Sequence, residues 1–344
     1  MSRAFSWTFA AAGLFLAAPA SAQSFTFNVD QQTADSLGLD TAEIESGIQE
    51  RVEQTLNLPD HAAFVREMAN ASVISTKGMG LDYGSNFDRF IVGGSFGSGV
   101  SGNGLSLGSG DGKLPESGFS LQVAGMVGLN LGMFSDDESP LRRFKIYANY
   151  MQLPINEDPF TGQLSNVGGH LQIDVIKSRD LTGLTWGGLS FNTGYTRANY
   201  KLELDKALPI DLDLSGQTVT WNASGSYSLS AGTTTIPLEV STNIQMLKVL
   251  SIFGGAGMNI NGGNAGSRGT IGGELIASGG DNADDQNIGN MGLDLEVVEN
   301  PTEISDHAFL GAQLNVLKFR VYGQATGSLS GEAFGGNVGL RFGI

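Results

Sequence analysis

The sequence has no cysteine, which removes disulfide stapling, thiolate metal ligation and cysteine nucleophiles at once. Histidine is nearly as scarce: His61, His170 and His307 are the whole supply. Nucleophilic catalysis needs a base beside its nucleophile, so the chain is expected to be no enzyme and to use no cofactor. Basic residues number 19 against 35 acidic ones, for a net charge of −16. That balance argues against nucleic acid as a partner and against a polybasic mode of membrane binding. Beyond the first residues, no apolar run reaches the roughly 20 residues that a transmembrane helix needs.

What is present begins with a processing signal. Arg3 supplies a positive n-region, Ala10 to Ala18 a short apolar core, and Ala20-Ser21-Ala22 a small-x-small cleavage site. Residues 1–22 are therefore expected to be a signal peptide. Residues 23–85 read as an N-terminal helical segment, either packed at a periplasmic rim or plugging a barrel. Asp40 or Thr41 can cap a helix carrying Ile44, Ile48, Val52 and Leu56 at four-residue spacing. Leu58-Pro59-Asp60 breaks it, and a second helix follows with Ala63, Phe64, Met68 and Ala71 on one face.

From about residue 86 the chain alternates. Phe119, Leu121, Val123, Val127, Leu129, Leu131 and Met133 are separated by small or polar residues. So are Val167, Leu171, Ile173 and Val175, then Leu189, Phe191 and Tyr195. The same holds for Val219, Trp221, Ala223, Tyr227 and Leu229, and for Ile236, Leu238, Val240 and Ile244. Period-two alternation sorts the two sets onto opposite faces of a strand. An extracellular sandwich would turn the polar face to water, whereas a membrane barrel turns the apolar face to lipid. The segments run about 10 to 14 residues, longer than soluble strands, and their polar faces are Asn, Gln, Ser and Gly with few charges. The barrel assignment follows, with every apolar set above facing hydrocarbon.

The fold class expected is all-β: a transmembrane antiparallel up-and-down barrel of about 12–14 strands over residues 86–344. Met246 to Val249 and Val316 to Phe319 read as tight periplasmic turns. Between them, about 262–306 reads as a large external loop, with a hairpin of its own at 268–278 and 290–299. Parity over 205–218 stays open. The lumen-lining candidates are His170, Gln172 and Asp174 on one strand and Glu239, Asn243 and Gln245 on another. Asn149 and Gln324 add amides, while Lys145, Arg320 and Arg341 add positive charge. These groups either set a field that selects solutes or pair with one another and fill a small barrel. Asp281, Asp284 and Asp285 match no EF-hand spacing, and Gly112-Lys113-Leu114 lacks the Ser or Thr of a phosphate loop. No metal site is expected.

The final strand, Phe334 to Ile344, places Val338, Leu340, Phe342 and Ile344 on one face. It resembles the C-terminal insertion signal of bacterial outer-membrane barrels, with Ile344 where an aromatic residue is usual. More broadly, residues 142–344 resemble porin-like and hydrophobe-channel barrels, the paired runs Val240–Met258 and His307–Leu329 looking like consecutive transmembrane hairpins. The resemblance implies an outer-membrane location, contact with outer-membrane lipid and handling by the barrel assembly machinery. It also implies passage of a small solute or hydrophobic ligand through the lumen. The alternative is a non-transporting structural or surface-binding barrel that acts through its external loops.

Overall fold

Strand pairing dominates the molecule, and the pairing closes on itself. The computed structural model describes residues 20–56, 61–85, 87–102, 117–136, 139–157, 160–214, 217–278, 285–330 and 332–344. The apolar core of the expected signal peptide, the Leu58-Pro59-Asp60 break, Gly112-Lys113, Asp281 and Asp284 lie outside them. In chain order come β1 (Ala20–Val29), α1 (Gln31–Ser36), α2 (Thr41–Leu56) and α3 (His61–Ser75). Then follow β2 (Phe90–Ser101), β3 (Gly118–Asn130), β4 (Phe144–Glu157), β5 (Phe160–Ile176), β6 (Arg179–Leu181) and β7 (Leu184–Leu214). The chain ends with β8 (Gln217–Met246), β9 (Leu250–Ser278), β10 (Gln286–Glu299), β11 (Ile304–Val316), β12 (Phe319–Gly327) and β13 (Ala333–Gly343).

These thirteen strands form one antiparallel sheet, and ten of them, all but β1, β6 and β10, close the ring. The expected antiparallel membrane barrel is present, with ten strands in its ring where about 12–14 were expected, because the others extend the sheet beyond it. Its strands are unequal. β7, β8 and β9 run 31, 30 and 29 residues, more than twice the length needed to cross a bilayer. The lower half of β9, Leu250–Ile260, pairs with β11 and so belongs to the ring. Its upper half, Ala265–Ala277, pairs with β10, which in turn pairs with β1. A tall sheet thus rises from one side of the barrel. The stretch expected as a loop at 262–306 is instead largely strand, and residues 205–214 and 217–218 belong to the paired strands β7 and β8.

The outer surface of the ring is an apolar belt. Phe96, Val127, Ile146, Val167, Leu238, Val240, Ile252, Leu314 and Val338 all stand exposed on it. On β8 the belt runs from Ile236 to Met246. At about 3.3 Å per residue and a tilt near 45° it covers roughly 25 Å, the height of the apolar band in outer-membrane barrels. The opposite face of β8 points inward, with Glu239 and Ser241 buried.

Above the belt the same inward face changes chemistry. Val219, Trp221 and Ala223 were expected against lipid, but all three are buried, Trp221 to 1 % exposure. They form a core with Ile44, Ile48 and Val52 of α2 and with Leu275 and Leu293 of the tall sheet. Tyr227 and Leu229 likewise pack against the start of α3. The reason lies in parity. Odd residues of β8 face inward along its whole length, but they are apolar from Val219 to Ala231, Gly225 aside, and polar from Thr233 onward, Pro237 excepted. β7 changes at Tyr195–Arg197 and β9 between Ile260 and Asn264. Register aligns the three changes, since Thr196 pairs with Thr235 and Ile236 with Ile260. Above that level the sheet meets water outside and helices inside, so the usual soluble arrangement returns.

Two of the helices were legible from spacing. Asp40 accepts a hydrogen bond from the Ala42 amide at 2.9 Å, capping α2. In α3 the buried face includes Phe64, Val65, Met68 and Ala69, while Ala63 is exposed. The helix lies along β2, β3 and β13, where the wall is glycine. A Cβ on Gly97 would collide with the Ser75 carbonyl and one on Gly99 with the Ala71 carbonyl. Glycine at these positions is what lets a helix backbone rest directly on a strand backbone.

Candidate functional site: a lumen filled by the chain itself

After α3 the chain turns into the barrel. Gly78 and Gly80 adopt left-handed backbone, φ +76° and +78°, which costs other residues about 1–2 kcal/mol. Residues 76–85 and Phe87 then descend through the lumen. Phe87 hands its carbonyl to the Asn130 side chain at 3.1 Å. At the bottom, the Arg89 and Phe90 amides bond to the Ile344 carbonyl at 2.9 and 3.1 Å, joining the start of β2 to the C-terminus. The segment therefore enters at the tall end and leaves at the end bearing the two-residue turns, where Leu247 and Lys248 both take positive φ.

Two polar stations hold this plug. At the first, the Tyr83 hydroxyl donates to Glu239 Oε2 at 2.6 Å, and His307 Nε2 donates to Glu239 Oε1 at 3.0 Å. Asn259 Nδ2 donates to His307 Nδ1 at 3.0 Å, which fixes the proton on Nε2. Lys77 of the plug completes the chain by donating to Asn259 Oδ1. His307 follows directly on the stretch expected as an external loop, 262–306. It is instead fully buried, because β11 brings it back to the ring beside Gly257.

At the second station Asp82 is the plug's anion. Arg341 approaches it at 3.3 Å and Arg320 at 3.5 Å. Arg341 also donates to Gln313 at 3.2 Å and to the Leu81 carbonyl, and it stacks over the Tyr322 ring at 3.6 Å. A buried ion pair adds little net stability against an apolar replacement, but removing one partner alone costs about 3–5 kcal/mol. Between the stations an apolar seal forms from Leu81, Tyr83 and Phe87 against Ile91, Met126, Tyr147, Phe253 and Phe309.

The lumen-lining candidates can now be placed. Lys145 pairs with Asp174 at 3.0 Å, and Asp174 also accepts from Ser190 at 2.9 Å. Gln172 accepts from the Tyr147 hydroxyl at 2.6 Å, and His170 meets Asn149 at 3.1 Å. Asn243 donates to the Tyr83 carbonyl at 2.8 Å. Gln324 bonds Thr326 at 3.1 Å and lies against Gly78. Gln245 is half-buried near the lower mouth, pairing Thr185 and Ser251 in register. Of the terminal strand, Val338, Leu340 and Ile344 are exposed on the outer face, and Phe342 packs edge-on against Phe319.

The plug residues Lys77, Asp82 and Tyr83 escaped sequence reasoning. The signal available was an isolated charge, Asp82, in an aperiodic stretch of Gly, Met and Leu just after a helix. Gly93-Gly94-Ser95-Phe96-Gly97 does spell a Gly-x-Ser-x-Gly pattern. It runs through the middle of β2 rather than over a strand-to-helix turn. Asp285 accepts from Ser278 at 2.8 Å, and among the described residues no group of three or more His, Asp or Glu is placed to hold a metal ion.

The Lsa36-like family pattern matches residues 26–344. The chain belongs to the Lsa36-like family. No curated protein matches it. Among solved structures, this Lsa36-like barrel is similar to the transport unit of the autotransporter AIDA-I from Escherichia coli. The identity is 10 %, with 82 % of this chain and 100 % of that one covered at a TM-score of 0.37. The translocator domain of the autotransporter NalP from Neisseria meningitidis gives 10 % identity, coverage of 90 % and 99 %, and a TM-score of 0.31. A FadL homologue from Pseudomonas aeruginosa gives 11 %, 81 % and 96 %, and 0.24. Likenesses this distant carry no argument about activity. The architecture is that of an outer-membrane β-barrel, on the strength of the closed ring and its belt.

Proposed function

We propose that this Lsa36-like protein is a sealed outer-membrane mount that displays its helix–sheet end at the cell surface for binding. The observation that carries this reading is the path of residues 76–85 and Phe87, which fill the lumen and tie it shut at Glu239 and Asp82. A conduit would leave a water column there; this barrel spends its polar wall on holding its own chain. Tight turns belong to the periplasmic side of such barrels, so the tall end with β1, α1 and α2 is assigned to the outside, and the protein acts through it.

Planar-bilayer recording tests the proposal directly. The full chain is expected to insert without steady conductance. A single cysteine at Asn222 should react with an impermeant maleimide on intact cells, and one at Leu317 should not. Steady channels from the unmodified protein would defeat the mount. A second reading, a gated channel for small solutes or hydrophobic molecules, is favoured by the polar wall behind the plug, which would wet if the plug withdrew. Asp82→Asn should then open steps of conductance that the parent lacks.

A further inference from the structure

At one point the wall of the barrel forks. β9 pairs with β11 up to Ile260 and Ile304, and from Ala265 it pairs with β10 instead. The fork lies at the upper edge of the belt, since Ile260 also pairs with Ile236. The link from β10 to β11 crosses it and is clamped from both sides. Asn70 of α3 accepts from the Thr302 amide at 2.8 Å, and Asn261 of β9 donates to the Thr302 carbonyl at 2.8 Å. Beside this link opens a cavity of about 250 Å³. That is smaller than the roughly 300–1,000 Å³ of sites for drug-sized ligands, so it holds one small molecule. Val73 and Ile74 of α3, with Ile304 and Ala333, give it an apolar side; Asn261, Ser305 and Asp306 stand on the polar side.

Neighbouring bonds fix what the polar side can offer. Asn259 Oδ1 accepts from Lys77, and Asn261 Nδ2 donates to a carbonyl, so both amides turn nitrogen toward Ser305. The Ser305 Oγ accepts from Asn261 at 2.9 Å and from Asn259 at 3.2 Å. With both lone pairs taken, this hydroxyl has only its proton left to give. Asp306 is the converse. Its Oδ1 accepts from the Leu329 amide at 3.1 Å and from Ser328 at 3.3 Å, which fixes the β12–β13 turn. No described residue donates to its Oδ2. Asn261 Oδ1 is likewise buried without a donor among the described residues, a costly state for an amide oxygen. A ligand here must therefore both accept and donate. None of the described lining residues is cationic, while Asp306 and Glu332 are anionic, so phosphates and carboxylates are repelled. An ammonium group only donates and would leave the Ser305 proton unused. A sugar hydroxyl does both, and the C–H face of its ring suits the apolar side.

We propose that the cavity at the fork of β9 is a binding site for one neutral sugar ring, with Ser305 donating to it and Asp306 and Asn261 accepting from it. The site does not depend on which way the barrel faces or on whether the lumen conducts. Purified full-length protein in a sugar-free detergent, lauryldimethylamine oxide, is titrated with methyl glucoside, methyl galactoside and methyl mannoside and read by saturation-transfer NMR. At least one should bind saturably. Asp306→Asn keeps the oxygen that fixes the turn and should weaken binding about tenfold, and Ser305→Ala about threefold. Ala333→Phe fills the cavity and should abolish binding, while Ser228→Ala, on the outer face of β8, should leave it unchanged. Heat-modifiable mobility on gels checks that every variant is folded. A free saccharide and a glycolipid head share the same ring. Displacement of the bound glycoside by the matching glycosyl diacylglycerol in nanodiscs assigns the site to a lipid head, and retention assigns it to a free saccharide. No binding of the three glycosides, or equal binding by the parent and Ala333→Phe, would overturn the site. Displacement by methylammonium, with no effect of Ser305→Ala, would overturn its assignment to sugar.

Discussion

The two ends of β8 share one parity and opposite chemistry. From Val219 to Ala231 its inward residues are apolar, Gly225 aside, and covered by helices, and its outward residues are Thr, Asn and Ser facing water. From Thr233 to Gln245 the inward residues are polar apart from Pro237, with Glu239 and Asn243 bonded to the plug, and the outward ones are chiefly Ile, Leu and Val facing lipid. The strand itself does not notice the difference, because backbone pairing is continuous on both sides. What changes is the solvent. Burial, not strand geometry, decides which face may be greasy.

The largest way to break the comparison is at the tall end. Trp221→Ala should remove about 3–5 kcal/mol from the packing of α2 on the sheet. Trypsin should then cut at Arg51 or Arg66 while the ring still resists. Next comes the belt: Val240→Arg places a charge in lipid at a cost of about 2–4 kcal/mol. Ser228→Arg, on the same outward face above the boundary, should change stability by no more than about 0.5 kcal/mol. Urea unfolding in vesicles reads both, and equal costs would erase the distinction between the two regions.

A pH dependence sharpens it further. His61, at the start of α3, contacts Ser267 and Tyr227, and burial lowers its pKa from 6.5 to about 4. The folded state therefore binds fewer protons than the unfolded one between those values. Its stabilising contribution is complete above about pH 6.5 and is lost as the pH falls toward 4, roughly 3 kcal/mol in all. The shift of Trp221 emission in urea should follow that curve at the tall end, and His61→Gln should flatten it. The smallest effect belongs to the plug: Gly80→Ala forces a left-handed alanine whose Cβ would lie 2.6 Å from Asn149 Oδ1. About 1–2 kcal/mol of destabilisation is expected from the backbone alone, read as a lower thermal midpoint of the refolded barrel.

Much of the barrel was legible because alternation is a local property. Leu121, Val123 and Val127, or Leu238 and Val240, declare a face without any knowledge of their neighbours. The boundary was also written in the sequence, though less openly. The apolar set of β8 occupies odd positions through Ala231 and even positions from Ile236, and the strand pairing runs on through Gly232 and Thr233 without a turn to account for the slip. The same slip separates Tyr195 from Tyr200 on β7 and Ile260 from Ala265 on β9. Taken one run at a time, each looks like a separate lipid-facing strand; only the pairing register shows that they share a level.

The lumen was partly legible. Lys145 with Asp174 and Glu239 with His307 sit on polar faces that any inward assignment brings together. Their true partners on the plug were hidden, because residues 76–87 have no period to reveal which wall each side chain meets. Asp82 is bonded across more than 200 positions of chain to Arg320 and Arg341, and local sequence carries no trace of contacts at that separation.

The absence of cysteine allows the boundary to be measured cleanly, by spin labels on single cysteines at even positions of β8 in lipid vesicles. Labels at Leu238, Val240 and Ile244 should be relaxed by oxygen and shielded from a water-soluble nickel chelate. Labels at Asn222, Ser228 and Ser230 should show the reverse, with the crossover between Ser230 and Ile236. Oxygen-rich, nickel-poor labels along the whole strand, or nickel access at Val240, would contradict the account.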